Sequence, residues 1–339
     1  MKKITFIKKT SLSVLLLILV LPTPILANEN LFYYFDNVNG LKSFKAHSSE
    51  IDIVAPQVYE VGYDLKVSTP NSKQKKLLRE AKNRDSKVMP LLVNKSFDKV
   101  LMSDILINDK AQDDIITFLI KEAKNKKYIG WQFDFENINH LDRALYTAFV
   151  KKTYKKLQAE NLQLSVAVVV RDHDYDITSK IQDWSSAYEY KNLAADSDFL
   201  TLMSYDDPLS IGPTASLPYV NRILDYMLKQ APSEKLSLGI PAYCWQWQDG
   251  EKVASVTYAL AEKAYKKVNK KNKERGFDDD LGVEYFKFLR EGVQNEIWCD
   301  NAKSFEIKDS LITEKGLRGF SVWALGQEDK NVWKYLQSR

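Results

Sequence analysis

The chain has 339 residues, with 49 Lys and Arg against 45 Asp and Glu and 45% apolar content, a balance that excludes a disordered tail and an extreme-charge nucleic-acid binder. Its 12 Gly, 10 Pro and 2 Cys exclude collagen-like and disulfide-framework classes. A chain of this length fits one large domain with ample material for a sizeable core.

Lys2, Lys3, Lys8 and Lys9 precede a ten-residue, mostly apolar run at 12–21, followed by Pro22 and the small-residue site Ile25-Leu26-Ala27. This is the pattern of a cleaved signal peptide over residues 1–27, since the run falls well short of the ~20 residues a membrane-spanning helix needs. No Cys follows the cleavage site, so no lipid or other stable membrane anchor is expected, and the mature protein is expected to be secreted or periplasmic. Removing residues 1–27 takes away four positive charges and no acids, leaving 45 against 45. No net basic charge then remains to steer the protein onto DNA, and nucleic acid is not an expected partner.

Short runs rich in β-branched and aromatic residues recur at 31–35, 51–56, 88–93, 129–135, 162–170, 199–205, 236–240 and 319–323. Between the third and fourth, Ile116, Leu119, Ile120 and Ala123 recur at helical spacing, with Asp109 and Gln112 placed as a capping box. Between the fourth and fifth, Tyr146, Phe149, Val150, Tyr154 and Leu157 do the same. Several runs, such as 164–170 and 199–203, are nearly continuous in apolar content, as strands buried on both faces are. Eight strands alternating with helices predict a (β/α)8 TIM barrel, typically ~250 residues, with room here for one insertion.

The segment 245–296 breaks the repeat. It carries a Lys-rich stretch around 263–275, read as a helix, then a turn at Asp278-Asp279-Asp280 and a mixed run at 283–289. It predicts a small α+β subdomain between strands seven and eight. Its basic run is either a solvated helix face or a contact for an anionic polymer. Cys244 and Cys299 either pair or stay as two buried thiols.

The chemistry concentrates in the fourth strand, Ile129-Gly130-Trp131-Gln132-Phe133-Asp134-Phe135-Glu136. The period of two puts Trp131, Phe133 and Phe135 on one face and Gln132, Asp134 and Glu136 on the other. With the aromatic face toward the helices, a polar row with two carboxylates points into a barrel interior normally filled by Val, Ile and Leu. Such burial is expensive unless the groups serve a function, and at a strand end it points to catalysis. Residues i and i+2 lie ~6.6 Å apart and point the same way, so they do not easily flank opposite faces of a sugar. The arrangement suits substrate assistance, in which the 2-acetamido oxygen of the substrate attacks and the protein supplies an acid and a neighbour to orient the acetamide.

These residues resemble family 18 of the glycoside hydrolases, whose fourth strand carries the signature Asp-x-x-Asp-x-Asp-x-Glu. Asp134 and Glu136 match its last two positions, while Ile129 and Gln132 stand at the first two. Further marks follow in register: Met203-Ser204-Tyr205-Asp206 at the sixth strand, Gly239-Ile240-Pro241-Ala242-Tyr243 at the seventh, and Trp323 within 319–326 at the eighth. The resemblance covers nearly all of 28–339 and implies a catalytic domain of that family. Val54-Ala55-Pro56-Gln57, Glu296-Ile297-Trp298 and the closing stretch 325–329 look most like bacterial spore-germination and cortex-lytic N-acetylglucosaminidases. Those enzymes usually carry lysin-motif repeats; the first strand here follows almost directly on the signal peptide, so wall targeting by that route is not expected.

The resemblance implies a catalytic set of Glu136 as general acid and then base, Asp134 to hold the acetamide N–H, and Tyr205 to donate to the acetamide oxygen. It places Asp206, Trp323, Gln132, Tyr243 and Gln57 in the substrate-binding set, with Trp323 as the apolar floor under the sugar. Gln132 offers hydrogen bonds but no charge where the family has a carboxylate, which implies a working but altered proton network. Arg171, Asp172 and His173 after the fifth strand either line a further subsite or make loop salt bridges.

The three His and two Cys show no metal-ligand spacing, and no Gly-rich phosphate loop follows a strand, so no cofactor or metal is expected. The implied protein is an exported, monomeric hydrolase of β-1,4-linked N-acetylhexosamine glycans acting with retention. An N-acetylglucosamine-containing polysaccharide is its partner, peptidoglycan the favoured polymer, and chitin or another glycan the alternative. A chitinase-like lectin that binds without cutting is the reading from a different class, and such lectins typically lack the acid that Glu136 supplies.

Overall fold

The computed structural model describes residues 28–69, 75–174 and 183–339; residues 1–27, expected as a signal peptide, lie outside the described residues. In chain order the strands are β1 (Glu29–Tyr34), β2 (Ile53–Val61), β3 (Lys87–Val88), β4 (Leu91–Asn94), β5 (Gly130–Phe133), β6 (Gln163–Val169), β7 (Phe199–Met203) and β8 (Leu236–Pro241). They continue as β9 (Tyr243–Gln248), β10 (Glu251–Thr257), β11 (Lys273–Asp278), β12 (Val283–Arg290), β13 (Val293–Cys299) and β14 (Gly319–Trp323). The helices are α1 (Val38–His47), α2 (Lys75–Asn83), α3 (Lys99–Ile107), α4 (Asp109–Lys126), α5 (Arg143–Gln158), α6 (Asp183–Ser186), α7 (Tyr190–Ala195), α8 (Leu217–Met227), α9 (Tyr258–Lys266), α10 (Ala302–Lys315) and α11 (Asn331–Ser338).

The parallel sheet runs β1-β14-β8-β7-β6-β5-β4-β2, with β3 beside β2, and a β1–β2 ladder closes it. With β3 and β4 counted as one interrupted strand, this is an eight-stranded parallel barrel with helices between its strands, as the alternation predicts. The third strand, expected as one run at 88–93, is split at Met89-Pro90, because Pro90 has no N–H to give to the ladder. A register shift in β2 between Gln57 and Tyr59 accompanies the split, and Val58 and Tyr59 both pack into the outer core. Two consecutive residues on one face mark a bulge, which keeps Gln57 in the inward row of Ile53 and Ala55.

The outer core lies between barrel and helices and takes Trp131, Phe133 and Phe135, all fully buried. The barrel interior is divided. One side is apolar, with Leu31, Tyr33, Ile53, Ala55, Met89, Leu91 and Phe199. The other holds a buried polar chain in which Gln132 donates to Ser165 (2.8 Å) and Thr201 (3.0 Å), with Ser321 3.4 Å from Thr201 and 2.7 Å from Ser237.

Two local expectations are corrected. The N-cap of α4 is Asn108, whose side chain accepts from the Ala111 N–H at 3.0 Å. With Asn108 in that role the Asp109/Gln112 box does not form, and Gln112 turns back to donate to the carbonyls of Ile105 and Leu106. In the insertion, the helix α9 ends at Lys266, and Lys273–Asp278 is strand β11, paired antiparallel with β12. Within the basic stretch Arg275 pairs with Glu284 at 2.6 Å and Lys266 with Glu262 at 3.1 Å.

The insertion leaves β8 and returns at α10 as a five-stranded antiparallel sheet, β10-β9-β13-β12-β11, with α9 on one face. Cys244 and Cys299 stand opposite each other on β9 and β13, and they form a disulfide. The buried pair Lys308 and Asp300 then holds α10 against the end of β13. No helix among the described residues is long and apolar enough to cross a membrane.

The disulfide spans 55 residues, so it closes a long loop in the unfolded chain, worth about 4 kcal/mol in the chain-entropy picture. A non-reducing peptide map is expected to show the Cys244 and Cys299 peptides joined. The Cys244→Ser/Cys299→Ser variant is expected to unfold at lower denaturant by about 2–4 kcal/mol; an unchanged midpoint would show that the bridge adds no stability.

Candidate active site

Strand β5 is short, and its ladder ends at Phe133 although the sequence pattern continues to Glu136. The chain beyond is held by other means. Asp134 donates its N–H to the Leu92 carbonyl at 3.0 Å. The fully buried Asn94 accepts from the Glu136 N–H and donates to the Glu136 carbonyl, both at 3.1 Å. The Tyr188 hydroxyl caps the Phe135 carbonyl at 2.7 Å. These contacts keep the alternation going past the ladder, so Asp134 and Glu136 reach one cavity of about 290 Å³ at the C-terminal end of the barrel.

Seven of the eight residues singled out in the sequence line that cavity: Gln57, Asp134, Glu136, Tyr205, Asp206, Tyr243 and Trp323. Gln132 does not. It is fully buried beneath the pocket, donating to Ser165 and Thr201, because its place one step earlier on β5 lies a full layer deeper in the barrel. Its position corrects the expectation that it touches substrate. The Tyr33 hydroxyl lies close to Gln132, Thr201 and Ser321 in this layer.

Tyr33 and Phe97 also line the pocket and were not singled out. Tyr33 was legible in principle, since it shares the inward row of β1 with Leu31. Trp184 was missed as well; its indole N–H donates to the Glu136 carboxyl, and no spacing in the sequence announces it. Arg171 is a structural residue: its guanidinium lies 4.4 Å from the Tyr190 ring centroid and donates to the carbonyls of Ser185 and Tyr188.

Trp323 lies against Tyr33 and Phe35, with ring centroids 5.2 and 6.2 Å away. The Trp323–Ala324 peptide is cis. Tyr205 is admitted by Gly239 on the neighbouring strand, where an added Cβ would fall 2.0 Å from the Leu202 carbonyl oxygen and 3.0 Å from the Tyr205 ring. Asp206 adopts a left-handed φ of 58°, a region Asp tolerates better than most residues. That turn brings its carboxylate to the Tyr243 hydroxyl at 2.6 Å.

The electrostatics follow from burial. Desolvation raises the Asp134 carboxyl well above the usual carboxylate range. Desolvation also raises Glu136, helped by the negative charges of Asp134 and Asp206 and opposed by the Trp184 hydrogen bond. Asp206 is raised by desolvation too, with Tyr243, Lys252 and Trp245 pulling the other way. Burial pushes the Tyr205 hydroxyl up, so it remains a neutral donor. The pocket therefore offers a protonated carboxylic acid near neutral pH, a neighbouring carboxyl and a phenol donor. Among the described residues, no cluster of three or more His, Cys, Asp or Glu could hold a metal ion.

The family model for glycosyl hydrolases family 18 matches residues 24–328. Among individual proteins, the chain is 28% identical over 272 residues to the uncharacterized glycosylase YvbX of Bacillus subtilis, covering 77% of each. It is 26% identical to the cortical fragment-lytic enzyme of Bacillus subtilis, covering 73% of this chain and 58% of that one, so it spans little more than half of that relative. Among solved structures, the spore cortex-lytic enzyme SleL of Bacillus megaterium superposes with a TM-score of 0.79 at 25% identity, covering 91% of this chain and 73% of that one. A chitinase of Chromobacterium violaceum reaches 0.81 at 23% identity over 92% and 98%, a likeness of fold.

A pH signature follows from the raised carboxyls. The folded protein holds protons that the unfolded chain has already released between the ordinary carboxylate range and the raised values. Stability therefore falls as pH rises through that window. Glu136→Gln removes one of these groups and is expected to melt higher than wild type at about pH 8, with the gap closing near pH ~4. A gap independent of pH in paired calorimetric scans would show that Glu136 is not held protonated.

Proposed function

This chain is a glycosidase of glycosyl hydrolase family 18, and from that membership and its pocket we propose that it is an exported enzyme cutting β-1,4-linked N-acetylhexosamine glycans, peptidoglycan first, with retention through substrate assistance. The observation that carries the mechanism is the side-by-side projection of Asp134 and Glu136 into one cavity whose third carboxylate, Asp206, is already engaged by Tyr243. Among the described residues lining the cavity there is no further carboxylate to act as a nucleophile, which favours the substrate's own acetamide. The choice of peptidoglycan is supported by the likeness to Bacillus cortical fragment-lytic enzyme and SleL, and export by the pattern of residues 1–27.

In this scheme protonated Glu136 gives its proton to the glycosidic oxygen as the C1–O bond breaks, and the acetamide carbonyl oxygen attacks C1 from the other face. The resulting oxazolinium ion is held by Asp134 at its N–H, with Tyr205 donating to the ring oxygen that came from the acetamide. Glu136, now a carboxylate, takes a proton from water, which attacks C1 and reopens the ring. The two inversions leave the anomeric configuration unchanged. Trp323 supplies the apolar floor for the sugar face, and closure of the pocket around a bound sugar strengthens each charge interaction in it.

Glu136→Gln is expected to lower turnover by at least ~100-fold, and Asp134→Asn to impair it strongly, on purified peptidoglycan with new reducing ends identified by mass spectrometry. Cleavage of N-acetylglucosamine oligomers but not of peptidoglycan would move the assignment to chitin. A thiazoline analogue of N-acetylglucosamine should inhibit, because it mimics the cyclised intermediate. Comparable cleavage of a substrate whose acetamide is replaced by hydroxyl would rule out substrate assistance.

A further inference from the structure

We propose that a basic groove on the flank of the barrel, between α2 and α4, binds the carboxylate-bearing peptide stems of the same glycan strand whose sugar chain occupies the catalytic pocket; this rests on the reading of peptidoglycan as substrate. The groove has a volume of about 520 Å³ and is lined by Lys75, Arg79 and Lys82 from α2 and by Lys126 and Lys127 at the end of α4. Lys75, Arg79 and Lys82 follow an i, i+4, i+7 spacing, which sets them on one face of the helix.

These five cations share one concavity. Among the described residues, none of them makes an ion pair, whereas Lys110 and Lys124 of α4 pair with Asp114 and Glu160, and Arg84, just beyond α2, pairs with Glu80 at 2.5 Å. The one acid in the lining, Glu122, accepts instead from the Tyr59 hydroxyl at 3.0 Å. Helix dipoles explain only part of the arrangement. Lys82 in the last turn of α2 and Lys126 and Lys127 at the C-terminal end of α4 are favoured by the dipoles, and Lys75 and Arg79 add charge that no helix end accounts for. Like charges gathered around one concavity repel, and an anionic ligand relieves that cost.

The position of the groove identifies the anion. A cavity of about 470 Å³ shares Gln57 and Phe97 with the catalytic pocket and shares Tyr59 and Thr69 with the basic groove. The three concavities thus adjoin in sequence, leading from Asp134 and Glu136 across the bulged end of β2 to the flank. A strand held at the catalytic end extends its substituents along this path. In peptidoglycan those substituents are peptides bearing carboxylates, which the planar fork of Arg79 fits in bidentate fashion. Neutral N-acetylglucosamine oligomers have nothing to offer it.

The test compares wild type with Lys75→Gln/Arg79→Gln/Lys126→Gln on three substrates: glycan strands with native stems, the same strands with carboxyls converted to amides, and N-acetylglucosamine oligomers. On native strands the variant is expected to raise KM about tenfold with kcat unchanged, and to flatten the dependence of KM on salt. On the other two substrates variant and wild type should agree, which also shows that the variant is folded. A control that removes the same charge from the insertion, Lys263→Gln/Lys267→Gln/Lys270→Gln, should behave as wild type. The inference is overturned if the groove variant has wild-type KM on native strands, if amidation leaves its deficit intact, or if the insertion control shows the same deficit. If wild type cuts the oligomers but neither strand, the peptidoglycan reading itself fails.

Discussion

The structure is organised around the cost of placing Asp134 and Glu136 inside a barrel. Taking a carboxylate out of water is unfavourable by several kcal/mol unless it is protonated or bound, and here two of them share one cavity with a third at its edge. Their raised pKa values are that cost expressed as proton affinity. The rest of the barrel accommodates it. Below the pair, the strands from β5 through β14 set Gln132, Ser165, Thr201, Ser321 and Ser237 into a connected hydrogen-bonded layer. Around it, Asn94 and Tyr188 hold the backbone of the segment carrying Asp134 and Glu136 after the ladder has ended.

The insertion is part of the same arrangement. Its aromatic face, with Tyr243, Trp245, Trp247 and Trp298, is continuous with Trp323 on the barrel. Tyr243, the first residue of the insertion sheet, grips Asp206, the residue that ends the sixth barrel strand in the sequence pattern. The Trp247 indole donates to the Gly212 carbonyl in the loop that follows β7. Barrel rim and insertion thus form one wall of the site, and the disulfide between β9 and β13 ties the two strands that leave and re-enter the barrel. A positioned Asp206 is a consequence of that wall.

The charge of the molecule is also distributed by the fold in a way the composition conceals. In the segment with the most conspicuous basic run, Arg275 pairs with Glu284 and Glu262 and Lys266 with Glu262, while Lys263, Lys267, Lys270 and Lys271 stand exposed to solvent. Five other cations gather around one concavity on α2 and the end of α4, which are separated by about forty residues in sequence and meet only because both pack on neighbouring strands. An acidic pocket and a basic flank then lie on one path over the end of β2, an arrangement suited to a polymer with a neutral backbone and charged branches.

By itself the sequence determined what depends on local repetition. The eightfold alternation of strand-like and helical runs named the barrel, and the period of two in 129–136 separated Trp131, Phe133 and Phe135 from the polar row, because neighbouring side chains on an extended chain must point to opposite faces. The marks at 203–206, 239–243 and 323 named most of the pocket for the same reason: they sit at strand ends, and the strand ends of a closed barrel converge. Tertiary structure alone decided how deep each residue lies, whether a partner from elsewhere meets it and where the chain bends. Gln132 carries the same alternation as Asp134 yet belongs to the layer below, since depth depends on the stagger of strands around the barrel. Cys244 and Cys299 pair only because β9 and β13 are neighbours, and Asn94 and Trp184 reach Glu136 from segments 42 and 48 residues away in the chain. Periodicity records which face a residue takes; which distant side chain meets it is set by the register of strands and the packing of helices, and neither is written in any local window.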